Sequence, residues 1–150
     1  LNKAELINNI EEVIKQQQSQ PDRLNGMLGL ILLDCSAEDK WIEFGFEAKE
    51  WCLNPYDGVH GGIICSIMDT AMGMGAVALT QHFVSTTEIM VSYLRPMKGS
   101  KFRIRVEYTH MGKRLIRCNC KVLDSSDDSI CATAMGSFVI TESRAKGLRV

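Results

Sequence analysis

The run from Gly61 to Leu79 constrains this chain more than any other segment. Ile63, Ile64, Ile67, Met68, Ala71, Met72, Met74, Ala76, Val77 and Ala78 leave no polar face at helical spacing, so the run predicts a helix buried on every side. Asp69 is its one charged residue, and no cation lies three or four positions away. An unpaired carboxylate in an apolar interior costs several kcal/mol, about the worth of two or three good core side chains. Asp69 is therefore either satisfied by a partner from another element or poised in a cleft as a base or nucleophile. The central carboxylate and four glycines argue against a membrane span.

The start of the run is of opposite character. His60-Gly61-Gly62 follows Leu53-Asn54-Pro55-Tyr56-Asp57-Gly58, which is dense in turn residues. The first N–H groups of a helix lack internal acceptors, and the helix dipole favours negative charge there. Two residues without Cβ let a carbonyl oxygen come close to those N–H groups, which outlines an oxyanion hole. Gly61 and Asp69 lie about 12 Å apart along a helix, too far for both to meet one carbonyl group. If both act on one substrate they come from different subunits, with two such helices antiparallel across a two-fold axis.

The rest of the chain supplies a sheet for the helix. Leu6, Ile10, Val13 and Ile14 predict an N-terminal helix, followed by a polar break from Gln16 to Pro21. Strands are expected over Gly29–Asp34, Trp41–Ala48, Thr86–Leu94, Lys101–Glu107, Arg114–Leu123 and Ser129–Ile140, with short connections that favour antiparallel pairing. The expected class is α+β, one central helix on a long antiparallel sheet, with 1–22 as N-terminal helix and connector and 23–150 as a single domain. Gly73 and Gly75, poor helix formers, are expected to admit a neighbouring backbone.

The cysteines Cys35, Cys52, Cys65, Cys118, Cys120 and Cys131 include no CxxC pair. They read as small core residues and reduced thiols, so no metal is expected, and the expected location is cytoplasmic. The N-terminus lacks the apolar h-region of a signal peptide.

Charge is balanced overall, with 17 Lys and Arg against 18 Asp and Glu, but it is unevenly placed. Residues 91–121 hold nine Lys or Arg and one acid, whereas residues 1–90 hold five and thirteen. Lys101, Arg103 and Arg105 read as a solvated outer sheet face, with Phe102 on the other side. Without an aromatic platform beside the basic residues, nucleic acid is not the expected partner. Arg95, Lys113 and Arg114 fall at strand ends, where they suit the phosphates of a substrate.

Asn54-x5-His60-Gly61-Gly62-x6-Asp69-Thr70-Ala71-x-Gly73, then Ser92-Tyr93-Leu94-Arg95-Pro96 and Gly112-Lys113-Arg114, closely resembles the hotdog-fold acyl-CoA thioesterases of the phenylacetic-acid-degradation (PaaI-like) type. The resemblance runs in order from about residue 25 to 141 and implies a hotdog fold, a long helix wrapped by five to six antiparallel strands. It implies that the Gly61 N–H and Asn54 polarise a thioester carbonyl, and that Asp69 of a facing subunit acts as nucleophile or general base. A hydroxyl residue ten positions before Pro96, Thr86, orients the water, and His60 shapes the helix start. Gly62, Tyr93, Arg95, Gly112, Lys113 and Arg114 are implied to bind substrate. The expected assembly is a homodimer, further paired into a homotetramer, acting on acyl-CoA with no cofactor beyond the coenzyme A of the substrate. A non-catalytic acyl-CoA-binding protein and a hotdog enoyl-CoA hydratase are the alternatives.

Overall fold

A computed structural model describes residues 1–145. The chain runs α1 (Lys3–Gln18), α2 (Leu24–Leu28), β1 (Ile31–Ser36), β2 (Trp41–Glu47), a 3-10 turn (Glu50–Cys52), α3 (Gly61–Thr80), β3 (His82–Tyr93), β4 (Lys101–Met111), β5 (Leu115–Asp124) and β6 (Ile130–Arg144). The six strands form one antiparallel sheet in the order β1-β2-β4-β5-β6-β3. Because β2 and β3 are four places apart in that order, the connection between them crosses the sheet face, and α3 is that crossing. Gln81, with φ +62°, ends α3 in the left-handed region and lets β3 begin at once.

The alternation of the strands places one row of each on α3. Phe44, Phe102, Ile104, Val106, Ile116, Val122 and Phe138 are buried there against Ile67, Met68, Ala71 and Met72. Each such side chain contributes about 1.5–3 kcal/mol when fully buried. The hydroxyl of Tyr108 donates to the carbonyl of Met72 at 2.7 Å. A Cβ on Gly75 would stand 2.1 Å from that hydroxyl, so glycine is required at this position by the chain's own packing. Here the structure departs from the expectation for Gly75, since Tyr108 fills the space beside it.

The helix α1 is capped by Asn2 and Glu5 in a reciprocal capping box. Its Leu6, Ile10, Val13 and Ile14 enter the same core, and Asn9 Nδ2 donates to the Ala78 carbonyl at 3.0 Å. Residues 146–150, the last five of the expected 23–150 domain, lie outside the described ones.

Several strands are longer than their sequence patterns. β3 starts at His82 rather than Thr86, β4 continues to Met111 and β6 to Arg144, because their pairings extend across bulges that break the alternation. The helix burial also needs correction. Ile67, Ala71, Met74 and Ala78 are buried, but Gly62, Ser66, Asp69, Gly73 and Val77 form a stripe left partly open. The sheet covers α3 from one side and α1 packs against another, and among the described residues this stripe stays partly open.

Cys118 and Cys120 point to the helix side, paired with Gly136 and Ala134, and burial pushes the Cys118 thiol up to about 12. On the outer face the basic row is compensated. Arg103 pairs with Glu43 at 3.1 Å and with Asp128, and Arg105 reaches Glu43 at 3.5 Å while stacking on Trp41.

Candidate active site

The loop before α3 is built around Asn54. Its Oδ1 accepts the backbone N–H of Tyr56 at 2.8 Å and of Gly58 at 3.2 Å, and its own N–H donates to the Gly58 carbonyl at 2.7 Å. The Leu53–Val59 bridge and the His60 N–H on the Cys52 carbonyl close the loop and fix where α3 begins. His60 is the N-cap: Nδ1 accepts the Gly62 N–H at 2.9 Å, while the His60 carbonyl accepts from Ile64. The neutral ring is the form that can accept there, so His60 acts as a cap at this helix start. Among the described residues, the N–H groups of Gly61 and Ile63 are left without acceptors.

Tyr93, at the end of β3, donates its hydroxyl to the Gly61 carbonyl at 2.7 Å, and burial raises its phenol above the ordinary tyrosine value. A Cβ on Gly61 would meet only the Tyr93 ring, at 3.6 Å, an ordinary contact. The chain's own packing therefore does not demand glycine at 61, in contrast to 75. What the missing side chain leaves is room beside a helix-start N–H. Asn54, Gly61, Tyr93, Arg95 and Lys98 line a cavity of about 470 Å³ at this end of α3.

Two turns further on, Asp69 is half-buried on the open stripe. Its Oδ1 accepts the hydroxyl of Thr86 on β3 at 2.8 Å. That is the partner from the sheet that the carboxylate requires, and it is a single hydroxyl rather than a cation. One turn earlier, burial and the Asp69 charge both push the Cys65 thiol up, so the nearby sulfur is held as the protonated, poorly nucleophilic form. Asp69 and Thr86 line a second cavity, of about 350 Å³, with residues of α1, α2 and β3. Gly61 and Asp69 thus belong to separate cavities within one chain. Gly73, on the same stripe, resembles Gly61: a Cβ there would meet only the Phe138 ring at 3.6 Å.

The three cations expected at the phosphates are not gathered in one chain. Arg95 follows β3 beside Cys131, whereas Lys113 and Arg114 form the β4–β5 turn, held by Gly112 N–H on Leu115 and by Ile140 N–H on the Arg114 carbonyl. Cys131 and Ile140 are separated along β6 by about 30 Å. The antiparallel strands between these turns carry them to opposite ends of the sheet. Lys98, near Gly61, and Asn25, near Asp69, line the two cavities and were not among the expected site residues. Asn25 lies in a polar segment that carries no signal of its own. Among the described residues no group of three or more His, Cys, Asp or Glu is placed to hold a metal.

Comparison with known proteins agrees with this architecture. The PaaI protein of Escherichia coli, from the phenylacetic acid degradation operon, superposes with a TM-score of 0.81, covering 97% of this chain and all of that one at 14% identity. Zebrafish thioesterase superfamily member 2 gives 0.77 over 90% and 98% at 13% identity. The smu.793 protein of Streptococcus mutans, solved bound to acetyl CoA, gives 0.69 over 78% and 91% at 19% identity. At these identities the likeness is one of fold, a sheet wrapped around a central helix. In sequence, an inferred esterase of Saccharolobus solfataricus is 26% identical over 137 residues, 89% of this chain and 85% of that protein. Residues 56–131, from the loop before α3 into the start of β6, match the thioesterase superfamily, and the chain is a hotdog-fold member of that superfamily.

Proposed function

We propose that the protein hydrolyses the thioester of an acyl-coenzyme A to a free acid and coenzyme A, in sites shared by two copies of the chain. The observation that carries this reading is the division of α3. Unpaired N–H groups and an unencumbered Gly61 lie at its start, a carboxylate held by Thr86 lies two turns on, and both are on its open side.

Two such helices, antiparallel across a two-fold axis, bring the Gly61 end of one against the Asp69 end of the other. The thioester oxygen accepts the Gly61 N–H, and the negative charge that develops on it is favoured by the helix dipole. Asp69 of the facing copy either takes a proton from the attacking water or attacks the carbonyl carbon itself. In both routes water supplies the new acyl oxygen and the thiolate leaves with a proton. Thr86 holds one carboxylate oxygen so that the other faces the reaction. Tyr93, fixed on the Gly61 carbonyl, keeps the first turn in place.

The same two-fold relation resolves the scattered cations. Arg95 sits at the Gly61 end of each chain, while Lys113 and Arg114 lie beyond the Thr86 end, two pairings from Phe138. In the pair, Arg95 of one copy approaches Lys113 and Arg114 of the other, a fitting cradle for coenzyme A phosphates. The acetyl CoA in the Streptococcus mutans relative supports coenzyme A as the carrier. The homotetramer is then a pair of such dimers, and the free thiols suit a reducing, cytoplasmic setting.

Release of free thiol from a panel of acyl-CoA esters tests the reading. Asp69→Asn keeps the shape and removes the base, and a loss of at least ~10²-fold is expected. Unchanged turnover in the variant would overturn the mechanism, and tight binding of every ester with hydrolysis of none would mark a non-catalytic binding protein.

A further inference from the structure

Asp69, Gly73 and Val77 stand on successive turns of the open side of α3, so the stripe there runs from a carboxylate through a bare backbone to a branched apolar side chain. All three line the cavity of about 350 Å³ whose apolar wall is completed by Phe83, Val84 and Phe138. The glycine in the middle is the part that the fold leaves unexplained. In a helix interior glycine is the most destabilising residue after proline, because it has the most backbone freedom to lose. Gly73 has no conformational reason to be glycine, since its backbone is ordinary helix without a positive φ. It has no packing reason either. Among the described residues a Cβ there would meet only the Phe138 ring, at 3.6 Å, whereas the same atom on Gly75 would stand 2.1 Å from the Tyr108 hydroxyl.

Close packing of a partner helix does not account for it. When Gly61 of one α3 lies against Asp69 of another, a position four residues beyond Asp69 comes opposite one four residues before Gly61. That position is in the Asn54 loop and not on the partner's helix. What the missing side chain leaves is width in the cavity, between the helix backbone and Phe138. One helical turn, about 5.4 Å, separates this gap from the carboxylate. With carbon–carbon bonds of about 1.5 Å, an acyl chain running along α3 from the thioester comes level with Gly73 at about its fifth carbon.

We infer that Gly73 is a specificity-determining residue, the gap through which an acyl chain of more than about five carbons passes from the reacting carbonyl to the apolar wall of Val77, Phe83, Val84 and Phe138. This rests on the thioesterase reading, with coenzyme A on the side of Arg95 and Lys98 and the acyl group beside Asp69. Shorter acyl groups end before the gap and do not use it.

Acetyl, butanoyl, hexanoyl, octanoyl and decanoyl coenzyme A test it on the full chain, wild type against Gly73→Ala and Gly73→Val. In the wild type the hexanoyl or octanoyl ester is expected to exceed the acetyl ester in kcat/KM by about 10-fold. Gly73→Val fills the gap, and should lower kcat/KM for hexanoyl and longer esters by about 10-fold or more while leaving acetyl and butanoyl within about twofold. Gly73→Ala should show the same split at about threefold while its unfolding midpoint rises, so the test survives a valine variant that does not fold. Equal losses at every length, no loss at any length, or a wild type that uses nothing longer than butanoyl each overturn the inference. A lower mass in solution for Gly73→Ala also overturns it, because the glycine would then serve the subunit contact. The same esters are titrated calorimetrically into Asp69→Asn protein with and without Gly73→Val. If the wild type hydrolyses none of them but valine weakens binding of the long esters alone, the hydrolase reading fails while the passage stands. If hydrolysis is robust and valine acts evenly across the lengths, the passage fails alone.

Discussion

In the proposed reaction the first turn of α3 and its middle perform opposite tasks with different materials. At the start, the chemistry lies in the backbone: orphan N–H groups of Gly61 and Ile63, set by a loop that Asn54 closes and by the His60 cap. In the middle it lies in side chains, with the Asp69 carboxylate held by one hydroxyl from β3. A backbone site tolerates changes in its neighbours' side chains but is blocked by a single added methyl. A side-chain site tolerates crowding nearby but is lost with one functional group. Since the two are in separate cavities of one chain, the proposed reaction needs one of each from different copies.

That separation makes a sharp experiment. Gly61→Ala should fold, because its methyl meets only the Tyr93 ring at 3.6 Å, yet it occupies the approach to the helix-start N–H. A loss on the order of 10²-fold is expected, the usual cost of an oxyanion donor. Asp69→Asn is expected to be comparably inactive. Unfolded together at equal amounts and refolded, the two should regain about a quarter of wild-type activity, since half the dimers are mixed and each mixed dimer has one intact site of two. Activity that stays at the level of the separate variants would show that both residues act from the same chain.

Thr86→Val probes the side-chain half more gently. It preserves the shape and removes the hydroxyl that stands 2.8 Å from Asp69 Oδ1. A fall in kcat of about 10-fold with little change in KM is expected, the worth of one hydrogen bond to a charged group. An unchanged kcat would mean that the carboxylate needs no orienting partner, and the contrast between the two halves of the helix would weaken.

How far these features were legible in the sequence follows the same division. Asp69 could be read because a charge in an apolar run is an energetic anomaly, and the helix start because His-Gly-Gly opens that run. The α+β class followed from alternation in the later strands. Asn25 could not be read, since its place beside Asp69 comes from α2 folding beneath α1, which depends on Gly26 and on tertiary packing. The extra length of β3 was hidden in Gln81-His82-Phe83, where a left-handed Gln81 turns an apparent connection into strand. The cluster of basic residues suggested one binding surface, but strand topology put Arg95 and Arg114 at different ends.

The buried side of α3 gives the smallest expected effect on catalysis and completes the contrast among its glycines. Gly61 and Gly73 have open space or ordinary contacts where a Cβ would be, but at Gly75 the Cβ would stand 2.1 Å from the Tyr108 hydroxyl and 2.8 Å from Ile42 Cδ1. Gly75→Ala is thus an overpacking change, expected to cost about 1–3 kcal/mol in denaturant unfolding. Tyr108→Phe removes the clashing oxygen and also its bond to the Met72 carbonyl, 2.7 Å long. The two costs should therefore not add: the alanine penalty measured in the phenylalanine background should fall by about 1 kcal/mol or more. Neither change touches the open stripe, so kcat per folded molecule should stay within about twofold, because a core substitution acts here through the amount of folded protein. Full additivity of the two penalties would show that Ile42 and not Tyr108 sets the limit. A large fall in kcat with stability intact would show that the core side of α3 is coupled to its reacting side.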